Sequence, residues 1–301
     1  MAAALRALSV EPTRSTRTDL LRFLPAVTLA LFLAPVLAGL AGTVLPAFGY
    51  LPALGGDRPR LDAFARLAAA PGLATALRLT LVSGLAGTLA AVALTLGLLA
   101  ACHQRPIFLR LRALLAPLLA LPHAAVAIGL AFLIAPSGWI VRLLSPWATG
   151  WSLPPALPLL PDPWGLGLAL GLVLKETPFL LLVAIAALTR IDSERRVAIA
   201  RSLGYGSTVA WFKTVLPALY PQLRLPIYAV LAYALSTVDM AIVLGPTTPP
   251  PFAVQVLRWF YDPDLSLRFV AAAGALLQLL LVLAAILAWR LGEIAVARLG
   301  R

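Results

Sequence analysis

Apolar residues in this chain fall into long unbroken runs, and charged residues collect between them. Six runs, residues 23–45, 76–101, 113–135, 165–188, 225–244 and 269–289, reach the roughly 20 residues that a helix needs to cross a bilayer. None alternates polar and apolar positions as a barrel strand does. Backbone groups in hydrocarbon must find partners within their own segment, so each run predicts a helix. The first run is longer than the apolar core of about 7–15 residues in a cleaved leader, and it follows Arg6, Arg14, Arg17 and Arg22. It therefore reads as a retained span. The expected fold class is all-α integral membrane, with six transmembrane helices in residues 23–290, an N-tail (1–22) and a C-tail (291–301).

The longest polar interruption in the second half, residues 190–221, reads RIDSERRVAIARSLGYGSTVAWFKTVLPALYP. Asp192 and Ser193 suit an N-cap, and Glu194 suits the positive end of a helix dipole. Val197, Ala200 and Leu203 recur at three-residue spacing as a narrow apolar stripe, with Arg195, Arg196 and Arg201 as the polar remainder. Gly204 stands where a left-handed C′ glycine ends a helix. Ser207 then suits the cap of a second helix carrying Val209, Trp211, Phe212, Val215 and Leu216, with Pro217 at its end. A loop that merely joined two spans would not need this order. The pattern predicts an amphipathic helix between spans four and five, and a second at a steep angle to it.

Composition agrees with a membrane setting. The 301 residues are 61% hydrophobic and 12% charged, where a soluble domain carries about 25% charge, and the mean hydropathy is +0.94. The net charge of +12 comes from arginines scattered between runs and only two lysines. There is no basic stripe interleaved with aromatics, so nucleic acid is not an expected partner. Sixteen basic residues lie in the N-tail, around residues 103–112, in 190–224 and from Arg290 onward, whereas the alternate connections hold seven. Positive-inside asymmetry therefore puts both termini and the 190–224 loop on the cytoplasmic side of the membrane. Cys102 has no second cysteine to pair with, and His103 and His123 are twenty residues apart. No metal-ligand spacing results, and no cofactor is expected.

The outer connections have their own character. Residues 136–164 hold Trp139, Trp147, Trp151, Trp164 and seven prolines, and 245–264 hold GPTTPPP and then Trp259, Phe260 and Tyr261. Prolines favour extended or tightly turned loops. The aromatics fit either an interfacial belt or a docking surface for an external partner. Ionisable residues inside spans are costly and mark a partner or a water-filled path. Lys175 and Glu176 lie near the middle of the fourth run and Asp239 in the outer half of the fifth. Depth matching along the helices predicts a Lys175–Asp239 pair. That would leave Glu176 to face a path or another subunit, with Pro178 loosening the helix beyond it. Locking helices together is the other role these charges can have. His123, beside Pro122, is either a packing histidine or a ligand for solute or proton.

The stretch Ala200-Arg201-Ser202-Leu203-Gly204, followed by Phe212, Val215, Leu216 and Pro217, resembles the EAA loop of permease subunits of ATP-binding-cassette (ABC) importers. That pattern is E-A-A-x-x-x-G, a variable stretch, then an apolar residue and Leu-Pro. Its second alanine falls on Ala200, its glycine on Gly204 and its Leu-Pro on Leu216-Pro217. Its glutamate and first alanine fall on Ala198 and Ile199, so the acidic residue is absent. LPHAAVAIGLAFLIAPSGW (121–139), LKETPFLL (174–181) and DMAIVLGPTTPPPFAVQVLRWFYDPD (239–264) resemble thiamine-type importer permeases, which carry two such halves in one chain; this chain is similar to one half.

The resemblance implies a permease without an ATP site of its own, and so not an enzyme. Its coupling residues would be Ala200, Arg201, Leu203, Gly204, Phe212, Leu216 and Pro217. Its partners would be a cytoplasmic ABC ATPase, a second permease half, a periplasmic or extracellular solute-binding protein and the lipid membrane. The implied solute is small and polar or charged: thiamine-like, a metal ion or an oxyanion. Consistent with a separate ATPase, no Gly-x-x-x-x-Gly-Lys-Ser/Thr occurs, and neither Gly-x-Ser-x-Gly nor His-Glu-x-x-His is present to suggest an intramembrane hydrolase. A secondary transporter acting as a dimer is the alternative, and it needs broken helices near the midplane.

Overall fold

The computed structural model describes residues 22–102, 107–156 and 160–299, and these residues form thirteen α-helices and no extended strand. Expectations about residues 1–21 of the N-tail, His103, Arg105 and the last two residues of the C-tail fall outside the described residues. α1 (Leu24–Ala47) has Pro25 in its first turn, where a missing N–H is harmless. The short α2 (Asp62–Ala68) follows, burying Ala63 and Leu67. α3 (Leu73–Cys102) buries a stripe of small residues that includes Thr80, Ser83, Gly84, Gly87, Thr88 and Ala91. Small residues let membrane helices approach closely.

α4 (Ile107–Ala120) and α5 (His123–Ile134) divide the third apolar run, and α6 (Trp139–Leu144) follows. α7 (Leu166–Leu188) is the most enclosed span. The polar loop supplies α8 (Ser193–Ser202) and α9 (Ser207–Thr214). α10 (Leu216–Ser236) and α11 (Asp239–Leu244) share the fifth run, and α12 (Phe252–Tyr261) and α13 (Leu267–Leu299) follow. α3, α7 and α10 pack together at the centre, α4 and α5 lie on α7, and α13 packs against α1, α2, α10 and α12. A Cβ on Gly87 would stand 3.0 Å from the Leu172 Cβ. One on Gly84 would stand 2.6 Å from Leu235 Cδ2 and 3.2 Å from the Ala234 carbonyl oxygen, so close approach dictates both glycines.

Among the described residues, five stretches qualify as spans by length and composition: Leu24–Ala47, Leu73–Cys102, His123–Leu144, Leu166–Leu188 and Leu267–Arg298. A sixth arises if Ser207–Thr214 and Leu216–Ser236, bent by 60°, count together. The protein is thus all-α and integral to the membrane, but several expectations need correction. Span three is not one helix over 113–135. It breaks at Leu121-Pro122, because proline lacks the N–H and pushes its predecessor out of the helical region. Span five, expected over 225–244, begins earlier at Leu216 and breaks at Thr237-Val238. Pro217 does not stop α9; it sits in the first turn of α10. α7 runs through Pro178 without a break. The outer connections contain helices α6 and α12, and α13 continues past residue 290 into the stretch expected as tail.

Candidate functional site

The polar loop forms a helical elbow at one end of the bundle. The Asp192 carboxylate accepts the Arg195 N–H at 3.4 Å and caps α8. Gly204 takes a left-handed φ of +91° just past the helix end, as the sequence predicts. The turn closes through Gly204 N–H to the Arg201 carbonyl (3.0 Å) and Tyr205 N–H to the Ala200 carbonyl (3.3 Å). Val197, Ala200, Ala210, Trp211 and Val215 turn inward and join a core with Leu99, Leu115, Leu180 and Leu219. The outward side of the elbow is apolar too: Leu203 is 73% exposed, Ile199 55%, Val209 48% and Phe212 41%.

This geometry divides the residues that the resemblance singles out. Arg201, Leu203, Gly204, Phe212 and Pro217 are exposed, Leu216 is half-buried, and Ala200 is buried against the bundle. Ala200 therefore seats the elbow rather than presenting it. Leu203 leaves the stripe of Val197 and Ala200 because α8 ends before it. Ile199, Tyr205 and Val209 join the exposed face beyond the residues the resemblance marks, and the signal for them in the sequence is their place off the buried stripe. Ala198, where the family's glutamate would stand, is exposed.

Inside the bundle, the two helix breaks lie close together. Lys175 donates to the carbonyls of Leu118, Leu119 and Leu121 at 2.5–3.2 Å and so completes the open end of α4. Gln278 of α13 donates to the Leu235 carbonyl at 3.0 Å, near the end of α10. The expected Lys175–Asp239 pair is absent among the described residues, because the broken helix offers Lys175 nearer oxygens. Glu176 does not face an open path in the single chain; it is buried, with Oε1 3.5 Å from His123 Nε2. The His123 ring lies 4.7 Å from that of Tyr233. Tyr233 and Thr237 donate to Asp239 Oδ1 at 3.2 and 2.7 Å. The structure thus gathers Glu176, His123 and Asp239 into one chain of contacts beside Lys175. Asp239 is exposed on the surface of the single chain. Among the described residues no cluster of His, Cys, Asp or Glu has the makings of a metal site.

A second polar hub is not foreseen by the sequence. The enclosed carboxylate of Glu293, on α13, accepts from Tyr220 (2.8 Å) and Tyr228 (3.0 Å) and pairs with Arg224 (2.9 Å) and Arg290 (2.8 Å). Trp289 Nε1 donates to the Tyr220 hydroxyl at 3.1 Å. Tyr220 and Arg224 belong to the half of α10 that adjoins the elbow and Tyr228 lies just past its middle, so the hub ties the elbow's root to α13. Treating residues 291–301 as tail hides it.

A many-helix membrane bundle, with an interrupted polar interior and an ordered elbow at one end, defines a polytopic membrane protein. Over an alignment of 228 residues the chain is 35% identical to the inner membrane ABC transporter permease protein YnjC of Escherichia coli (strain K12), covering 74% of this chain and 43% of that protein. The chain therefore spans less than half the length of this curated relative. Its fold matches, at a TM-score of 0.68 and 18% identity, a chain of a bacterial ABC transporter involved in the import of the acidic polysaccharide alginate, over 90% of this chain and 93% of that one. No family model matches the chain. By sequence the chain is a relative of an ABC transporter permease, and by fold it is similar to a chain of an ABC importer.

Proposed function

We propose that the chain is a permease subunit of an ABC importer in a bacterial inner membrane, with the elbow on the cytoplasmic side. The observation that carries this reading is the exposed apolar face of Ile199, Leu203, Val209 and Phe212 on two short helices that are otherwise firmly seated. Large exposed apolar patches mark partner sites. A separate ATPase grips this face, and closure of its two halves on ATP moves the elbow. Because α9 joins α10 at a 60° bend, that motion tilts the broken span and the polar cluster beside it. A second permease half supplies the other elbow and the other wall of the path. A solute-binding protein delivers a small polar or charged solute to the opposite face.

The test is co-purification of the chain with its ATPase, followed by solute-stimulated ATP turnover in proteoliposomes. Gly204→Leu, which forces a bulky residue into a left-handed backbone, should leave the chain inserted while separating ATP turnover from uptake. Normal uptake by that variant would overturn the reading. The broken α4–α5 and α10–α11 spans are the feature that favours a secondary transporter. Uptake driven by an ion gradient without the ATPase would establish that alternative.

A further inference from the structure

Where the end of α1 meets α12 and the start of α13, the bundle leaves a groove of about 470 Å³. Pro46, Ala253, Val256, Phe260 and Ala272 give it apolar walls, and Arg268 brings it a positive charge. The Arg268 Cζ stands 5.0 Å from the centroid of the Phe260 ring, and its Nε is buried without a hydrogen-bond partner. Among the described residues no ion pair engages this guanidinium. The acids near it in sequence are occupied. Asp262 accepts the Asp264 N–H at 2.9 Å, and Asp264 accepts the Ser266 N–H at 2.9 Å. The Ser266 hydroxyl and N–H hold the Asp264 carboxyl below its ordinary range, and Arg66 is the cation that assists.

The setting says what such a groove takes. α1 and α13 are both long and apolar enough to cross the membrane. Trp259, Phe260 and Tyr261 close α12 beside the groove, and such aromatic residues at the end of a bundle mark the headgroup level. An apolar channel between two spanning helices is filled by an acyl chain. The enclosed Nε is out of a ligand's reach, but Arg268 lines the groove without a carboxylate partner among the described residues, and a phosphate suits the terminal nitrogens of such a guanidinium. We propose that the groove is a binding site for an anionic phospholipid, with its phosphate on Arg268 and one acyl chain lying along α1, α12 and α13.

The experiment uses the full chain, delipidated in detergent and reloaded with phosphatidylglycerol or with phosphatidylcholine of the same acyl chains. Retained lipid is read by native mass spectrometry and stability by thermal melting. Phosphatidylglycerol should be retained about fivefold more strongly, as one interfacial arginine permits, and should raise the Tm more. Arg268→Gln should abolish the preference and Arg268→Lys should keep part of it. Ala275→Trp narrows the groove two helical turns from the arginine and should lower retention with the charge intact. If Arg268→Gln does not fold, the other two variants decide. Equal retention of both lipids, a preference that survives Arg268→Gln, or the same Tm rise from inorganic phosphate alone would each overturn the proposal. So would cross-linking of Ala275→Cys to a second copy, in a Cys102→Ser background, at the same yield with and without lipid.

Discussion

Asp162 and Lys175 perform matching tasks at opposite helix ends. Asp162 is buried and accepts the N–H groups of Trp164 (3.0 Å), Leu166 (2.7 Å) and Gly167 (2.7 Å), closing the start of α7. Replacing it with alanine should cost about 1–2 kcal/mol and lower the melting temperature in detergent, with Asp162→Asn milder. Lys175 serves the carbonyl end of α4. Lys175→Met should destabilise by about 1–3 kcal/mol for the acceptors it strands, and the same melts will show it. Neither role is legible in the sequence. Asp162 sits among prolines and tryptophans whose plainer meaning is the membrane surface. A depth count assigns Lys175 a carboxylate because it treats helices as unbroken rods, whereas the break at Pro122 exposes carbonyl oxygens closer to hand.

Helices themselves are largely readable where periodicity or punctuation marks them. The α8–Gly204–α9 order follows from an N-cap, a stripe and a glycine; Asp192 and Gly204 stand where expected, whereas Leu203 leaves the stripe and Gly206, not Ser207, precedes α9. Gly204 has open space where a Cβ would stand but a φ of +91°, so the penalty for Gly204→Ala is backbone strain alone. It should be about 1–2 kcal/mol, and Gly204→Asn should lose less; thermal melts of the two variants distinguish strain from a steric clash. Breaks within apolar runs are harder to see, since composition stays greasy on both sides of Pro122 and of Thr237. α12 is hidden for the opposite reason. The prolines before it suggest an extended loop, yet Pro251 merely precedes the first helical residue, and Thr80 Oγ1 accepts the Phe252 N–H at 2.8 Å to fix the new helix on α3.

Across the whole molecule, the class of fold is plain from six apolar runs, while the arrangement of the runs is not. Arrangement depends on contacts such as the Glu293 hub, whose tyrosine partners lie 65 and 73 residues away in sequence. Removing that carboxylate leaves Arg224 without its counter-charge and two tyrosine hydroxyls without their acceptor. Glu293→Ala should therefore cost about 3 kcal/mol or more and increase protease sensitivity at the junction of α9 and α10, which limited proteolysis will locate. Glu293→Gln, which keeps an acceptor oxygen, should be the milder change.

Asp239 has a consequence for the life of the protein in a cell. Its carboxylate lies on the outer surface of a lone chain, linked through Tyr233 and His123 to Glu176 in the interior of α7. An ionisable residue within a span normally faces a partner or a water-filled path, and one left against hydrocarbon at a span's centre costs about 2.5–3.5 kcal/mol. On the proposed reading, a chain made without its second permease half leaves that charge uncovered, a mark of incompleteness that membrane proteases can read. Pulse-chase labelling should show rapid turnover of the chain expressed alone and a longer half-life when its partner is co-expressed. Asp239→Asn should prolong the lone chain's survival, so that the residue governs how strictly the subunits are made in matching amounts.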